Sequence, residues 1–192
     1  MKVTFRAWSQ GYTEVQSEGD TLYRLDGYNK TRYSRRKNKE GLLELASREA
    51  HEKQEVYFAT ILNDDDSPYC AIESNVGYFG LDFLRDNYDN FLSFSYRSYP
   101  EYPDKLFLYG IILYECRPGT AERLRRIDFG YNFERSYSTL LYQGEAYDGT
   151  FEIIKTDYPP ISEEEFFKLL VDYPKFGEYD QLIRLDRIPK GA

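Results

Sequence analysis

Histidine is the side chain most often used for proton transfer near neutral pH, and the chain has one, His51, in the polar run Arg48-Glu49-Ala50-His51-Glu52-Lys53. That run predicts the polar face of a helix, where a solvent-facing imidazole is commoner than a catalytic base. Cys70 and Cys116 stand in apolar, strand-like runs, not at the strand-to-helix elbow that presents a nucleophile. One His and two separated Cys supply no zinc-ligand spacing. Asp64-Asp65-Asp66 offers oxygens to a hard cation. The run lacks the Gly and the closing Glu of an EF-hand loop, and Ser67-Pro68 after it reads as a solvated hairpin turn. Carboxylate pairs suited to glycoside hydrolysis occur, Asp82 with Asp86 and Glu134 with Glu145 among them, but 33 acids supply such pairs by chance. Gly77-Tyr78-Phe79-Gly80 lacks the remaining spacing of a phosphate loop, and Asp128-Phe129-Gly130 has no His-Arg-Asp before it. They are expected to be a turn and a strand with a bulge-permitting Gly. No catalytic residue, metal ligand or cofactor is assigned.

Binding chemistry is better represented. Between residues 30 and 39 six cations, Lys30, Arg32, Arg35, Arg36, Lys37 and Lys39, stand without one acid, so the rest of the chain carries about −14 against an overall −8. Tyr33 among them makes Arg32, Arg35, Arg36 and Lys37 the one place where nucleic acid is conceivable, a cation holding phosphate and an aromatic stacking a base. The overall negative field opposes that use, and a solvated loop is the expectation. The chain also holds 20 Tyr, more than a core of this size absorbs, because a buried hydroxyl needs a partner. Tyr88, Tyr99 and Tyr102 lie beside Asp86, Asp89, Glu101 and Asp104 in two loops. Aromatics that anchor and carboxylates that steer suit a basic protein partner, so Asp86, Tyr88, Asp89, Tyr99, Glu101, Tyr102 and Asp104 are the expected contact residues.

These loops need elements to hold them. Val3, Phe5 and Ala7 alternate with polar residues and predict a half-buried strand; residues 21–25 predict a second short strand before a turn at Asp26-Gly27. Leu42, Leu43, Leu45, Ala46 and Ala50 place a helix over 40–54. Strands follow over 55–62 and 69–73, around the Asp-rich turn, then over 76–84 and 91–96. Pro100 and Pro103 end that last strand, and 106–116 is a long apolar one. Residues 123–133, 137–147 and 151–156 predict an antiparallel meander. Pro159-Pro160 stops it, and Ser162 with Glu165 forms a capping box for a helix with Phe166, Phe167, Leu169 and Leu170 on its apolar stripe, ending at Tyr173-Pro174. Leu182, Ile183 and Leu185 suit a final short helix or an edge strand. The expected fold is α+β, a large antiparallel sheet of about eight strands with two or three helices packed on it.

With 192 residues, 41% hydrophobic and 18% aromatic, the chain is expected to fold as a single domain, residues 1–192. Two Cys make no disulfide framework, the N-terminal residues alternate where a signal peptide needs a continuous apolar stretch, and no run approaches a membrane span. A cytoplasmic protein without membrane contact is expected. The helix over 40–54, the strands through Tyr57-Phe58-Ala59-Thr60-Ile61-Leu62 and Tyr69-Cys70-Ala71-Ile72-Glu73, the step Val76-Gly77-Tyr78-Phe79-Gly80, the meander and the helix after Pro159-Pro160-Ile161-Ser162-Glu163-Glu164-Glu165-Phe166 together resemble immunity proteins of bacterial polymorphic toxin systems. The resemblance lies in the order of elements over 39–185; the basic stretch has no counterpart, and no catalytic residue carries over. It implies a small cytoplasmic protein that binds and blocks one basic toxin or effector. A carbohydrate or small-ligand binder that stacks Tyr on its ligand, and a phage-encoded inhibitor of a host defence protein, share the same composition.

Overall fold

A computed structural model describes residues 1–9, 14–85, 90–116, 123–143 and 152–189. Among these residues ten strands form one antiparallel sheet in the order β1 (Lys2–Thr4), β4 (Tyr57–Leu62), β5 (Pro68–Asn75), β6 (Tyr78–Leu84), β7 (Asn90–Tyr99), β8 (Tyr102–Cys116), β9 (Arg123–Tyr131), β10 (Tyr137–Gln143) and β11 (Glu152–Tyr158), with β12 (Leu170–Asp172) added beside β8. From β4 to β11 each strand pairs with the next in sequence, so the meander begins well before the second half of the chain. β2 (Trp8–Ser9) and β3 (Glu14–Val15) make a separate two-stranded ladder.

The register shows how the pleat builds the core. Ala59, Ile72, Leu81, Phe94, Ile111, Phe129, Thr139 and Thr156 stand opposite one another across eight strands and therefore share one face. The row is buried as far as Thr139 and exposed at Thr156. Over β4–β8 that face is covered by α1 (Glu18–Asn29), α2 (Leu42–Glu52) and the C-terminal segment, through Leu22, Leu25, Leu43, Ala46, Ala50, Tyr179 and Leu182. Burying a Leu or Phe side chain contributes about 1.5–3 kcal/mol, so this half of the sheet holds most of the apolar stabilisation. Gly77, at φ 65°, makes the β5–β6 turn, and a Cβ there would meet Ser98 Oγ at 2.6 Å, which is why the step needs glycine.

Several expectations change. Residues 21–25 are helical, within α1: Ser17 Oγ caps it by accepting the Asp20 amide at 3.1 Å, and Leu22 and Leu25 bury at helical spacing despite Gly19 and Gly27. The first strand stops at Thr4, because fully buried Ala7 donates its amide to Thr21 Oγ1 on α1 at 3.1 Å. Pro103 lies inside β8, where the pairing skips from Ser98–Leu106 to Tyr99–Tyr102, so its missing N–H falls in a bulge. The Ser162–Glu165 capping box is present, but α3 (Glu163–Lys168) ends before Tyr173, and Leu170–Asp172 turns into β12 instead. Leu185–Arg187 is a turn of 3-10 helix.

Candidate functional site

β12 is the reason the molecule has a distinctive aromatic corner. It pairs with Lys105–Phe107 of β8, on the edge from which β9 has already diverged, and so brings α3 against the β7–β8 turn. Tyr99 is buried there, stacked on Tyr102 at 5.2 Å between ring centroids and in edge contact with Phe166 at 5.6 Å. Tyr102 in turn meets Phe167 of α3 edge-on at 6.4 Å. Tyr102 and Phe167 are 37% and 47% exposed, two large rings held at the surface by rings beneath them. Glu101 and Asp104 flank Tyr102 in sequence, and Glu163 and Glu164 precede Phe167 by one helical turn, which sets them on its side of α3. Tyr99 Oη donates to Glu101 Oε2 at 3.3 Å, and burial, then the Glu101 charge, raises the phenol above its ordinary value. Glu164 pairs with Lys168 at 2.7 Å, whereas Glu101, Asp104 and Glu163 have no ion-pair partner among the described residues. Of the expected contact residues, then, Glu101, Tyr102 and Asp104 are gathered at one exposed corner, Tyr99 is the support beneath them, and Asp86, Tyr88 and Asp89 lie outside the described residues. Phe167 is the member that sequence reasoning placed in the core; it lies about 100° round the helix from buried Phe166, at the margin of the apolar stripe, and is 47% exposed.

Beyond this corner the sheet's inner face is only partly covered. Between β9–β11 and the segment from Ile161 to Pro189 lies an open groove of about 1160 Å³. Its floor is a set of cross-strand rows, Tyr131–Tyr137–Tyr158, Phe129–Thr139–Thr156 and Ile127–Leu141–Ile154. The three tyrosines stack in a ladder at 4.9 and 4.7 Å, so their faces are turned to one another and only the outer end, at Tyr158, stays open. Glu165, Lys168, Arg184, Asp186 and Arg187 line the opposite wall. Arg187 Nη1 reaches Tyr96 Oη at 3.2 Å, which itself donates to the Leu182 carbonyl at 2.9 Å, and this ties the wall to the core.

The basic stretch forms a built loop. One carboxylate, Asp26, accepts Thr31 Oγ1 and the Tyr33 amide on Oδ1, and the Ser34 amide and hydroxyl on Oδ2, at 2.5–2.8 Å. Burial pushes the Asp26 carboxyl up, but these hydrogen bonds outweigh it and hold it below the usual range. Arg32, Arg35, Arg36 and Lys37 are exposed, and none of them forms an ion pair with a described acid. Tyr33, however, is buried, with its hydroxyl donated to Glu49 and Arg36 lying over its ring at 4.6 Å. Its ring is therefore not a platform for a base.

The residues weighed for catalysis are occupied structurally. His51 is half-buried, not solvent-facing, because the C-terminal segment folds over α2: its Nδ1 is 3.0 Å from Tyr57 Oη and its ring packs on Tyr173 and Phe176. Cys70 is fully buried and its thiol is pushed up by that burial. Asp64 faces the terminal amine at 3.4 Å, Asp66 binds Lys2 at 2.7 Å and Asp65 accepts from Ser67, so the triplet's carboxylates diverge. Asp128 is bonded by Arg126 on both oxygens at 2.6 and 2.7 Å, Phe129 is core, and Gly130 stands in regular register opposite Gly110 without a bulge. Among the described residues no helix is long and apolar enough to cross a membrane. Comparison with protein-family models, with curated proteins and with solved structures finds no match.

Proposed function

We propose that the protein acts in the cytoplasm by binding rather than catalysis, as an immunity or inhibitor protein that grips a basic toxin or effector protein. The observation that carries the reading is the corner formed by Tyr102 and Phe167: two exposed rings, fixed by Tyr99 and Phe166 below, beside Glu101, Asp104 and Glu163, which have no ion-pair partner among the described residues. Rings already ordered in the free protein lose little rotamer freedom on binding, and contact hot spots are typically such anchors. Unpaired Glu101, Asp104 and Glu163 would steer a cationic surface toward them and set its orientation. The order of elements that resembles toxin-immunity proteins agrees with this use.

Capture from the native host by tagged protein, compared with capture by the Tyr102→Ala/Phe167→Ala double variant, tests the reading. A basic protein retained by the wild type, released at raised salt, and reduced at least tenfold with the variant is the expected result, since losing one hot-spot ring costs about 2 kcal/mol or more. Recovery of metabolites or glycans without protein would count against it. The groove supports a second reading, a carbohydrate or other small-ligand site against the open face of Tyr158, and glycan binding lost in Tyr158→Ala would favour that one.

A further inference from the structure

The sheet ends differently on its two sides. β1, at one end, has three residues, and β12 beside β8 has three, lengths that blunt an edge against further pairing. β11, at the other end, is seven residues long, exposed throughout, and no described strand pairs with its outer side. It also carries Ile153 at 54% exposure, Ile154 at 40% and Tyr158 at 43%, an unusual apolar load for an edge.

We propose that the occupant of this edge is a second copy of the chain, paired antiparallel β11 to β11 about a two-fold axis at Thr156. The sequence Ile154-Lys155-Thr156-Asp157-Tyr158 is self-complementary in that register and in no neighbouring one. Centring on Thr156 sets Lys155 of each copy opposite Asp157 of the other, and Ile154 opposite Tyr158. Centring on Lys155 or on Asp157 sets like charges face to face, and centring on Ile154 leaves both charges without an opposite. A lone Lys on an edge strand discourages pairing; a Lys followed two residues later by Asp, on the same face, selects a partner with the same pattern. In the free chain that pair is satisfied within the strand, Lys155 Nζ to Asp157 Oδ1 at 2.9 Å, both side chains more than half exposed, so the exchange to a cross-copy pair gives up nothing buried. The inner-face rows then run on through the junction. Tyr131–Tyr137–Tyr158 continues into Ile154, Leu141 and Ile127 of the second copy, and Phe129–Thr139–Thr156 meets its own mirror. The isologous contact closes at two copies, consuming the only long edge among the described strands.

The full-length chain is tested by sedimentation equilibrium over a concentration series. Mass rising from one chain toward two is expected, with concentration dependence because an edge pairing is a small interface. Lys155→Asp alone and Asp157→Lys alone each set like charges across the axis and should remain at one chain; mixing the two variants in equal amounts should restore the two-chain species, as should the double swap in one chain. Circular dichroism matching the wild type shows that each variant folds. A wild type that stays at one chain, or variants that associate singly as well as the wild type does, overturns the proposal. A second readout avoids the charges: Thr156→Cys places one thiol opposite its symmetry mate, and oxidation should give a covalent two-chain product beyond the wild-type background, whereas no added product overturns the register.

Discussion

Tyr57 links two segments that are far apart in sequence. Its hydroxyl lies 3.3 Å from Tyr179 Oη, which donates to it, and 3.0 Å from His51 Nδ1. The imidazole thus has a hydrogen-bond partner in Tyr57, with donor and acceptor set by the ring's tautomer. Tyr173 and Phe176 pack on the ring and keep water from it, which disfavours the charged imidazolium. Burial lowers the imidazole's pKa, with Arg48 contributing in the same direction and Glu52 opposing it. The unfolded chain takes up its proton near the ordinary value of about 6.5 and the folded chain at lower pH, so this contribution to stability is whole above about 6.5 and is lost as pH falls from there through the folded value. Melting temperature should therefore drop between pH 7.5 and 5.5, and His51→Gln should flatten that slope; equal slopes in the two proteins would falsify the assignment. Tyr57→Phe should cost about 1–3 kcal/mol in urea denaturation, because it takes the hydrogen-bond partner from both the Tyr179 hydroxyl and the His51 ring nitrogen.

At the scale of elements, strands were legible from period-two alternation in 78–84 and 127–131, and from the continuous β-branched and aromatic run in 57–62, which is buried on both faces. The helix after Pro159-Pro160 was legible from its capping box. α1 was not: Gly19, Gly27 and the sequence Asp26-Gly27 imitate turn chemistry, and the true signals, Ser17 three residues before Asp20 and Leu22 three before Leu25, are short. Tertiary burial decided it, through Thr21 accepting the Ala7 amide. Asp26 was read as a turn residue for the same reason, although its carboxylate organises the whole basic loop from inside the helix. Asp26→Ala should cost about 1–3 kcal/mol and, more tellingly, speed tryptic cleavage among Arg32, Arg35, Arg36 and Lys37 several-fold. Unchanged cleavage would mean that the loop keeps its shape without the carboxylate. Since the Asp26 carboxyl is held below its ordinary range, this support is present above about pH 4 and is lost as pH falls through the folded value.

For the molecule as a whole, one sheet serves two purposes because its cover stops partway. The helices and the C-terminal segment are long enough to roof β4–β8, and the same cross-strand row that is core at Phe94 is groove floor at Thr139 and open surface at Thr156. Nothing in the local sequence marks that change: Ile127, Leu141 and Ile154 look like core residues, and only the layout of the roof leaves the first two half-buried and Ile154 exposed. The corner at Tyr102 and Phe167 was half legible, since its loop combines Tyr with acids, while its other half depends on β12 docking α3 from about 65 residues away. Free energies of local opening should follow the roof. In native-state hydrogen exchange, peptides spanning Phe79–Phe83 and Leu92–Tyr96 should exchange last, near the global unfolding free energy, and those within Glu152–Tyr158 first. Protection of β11 should then rise with protein concentration while that of β6 stays constant, because only the edge strand gains a neighbour when two copies pair. Uniform protection across the sheet would mean that β9–β11 is held by something other than the ladder and the partial cover described, and the roof argument would fail with it.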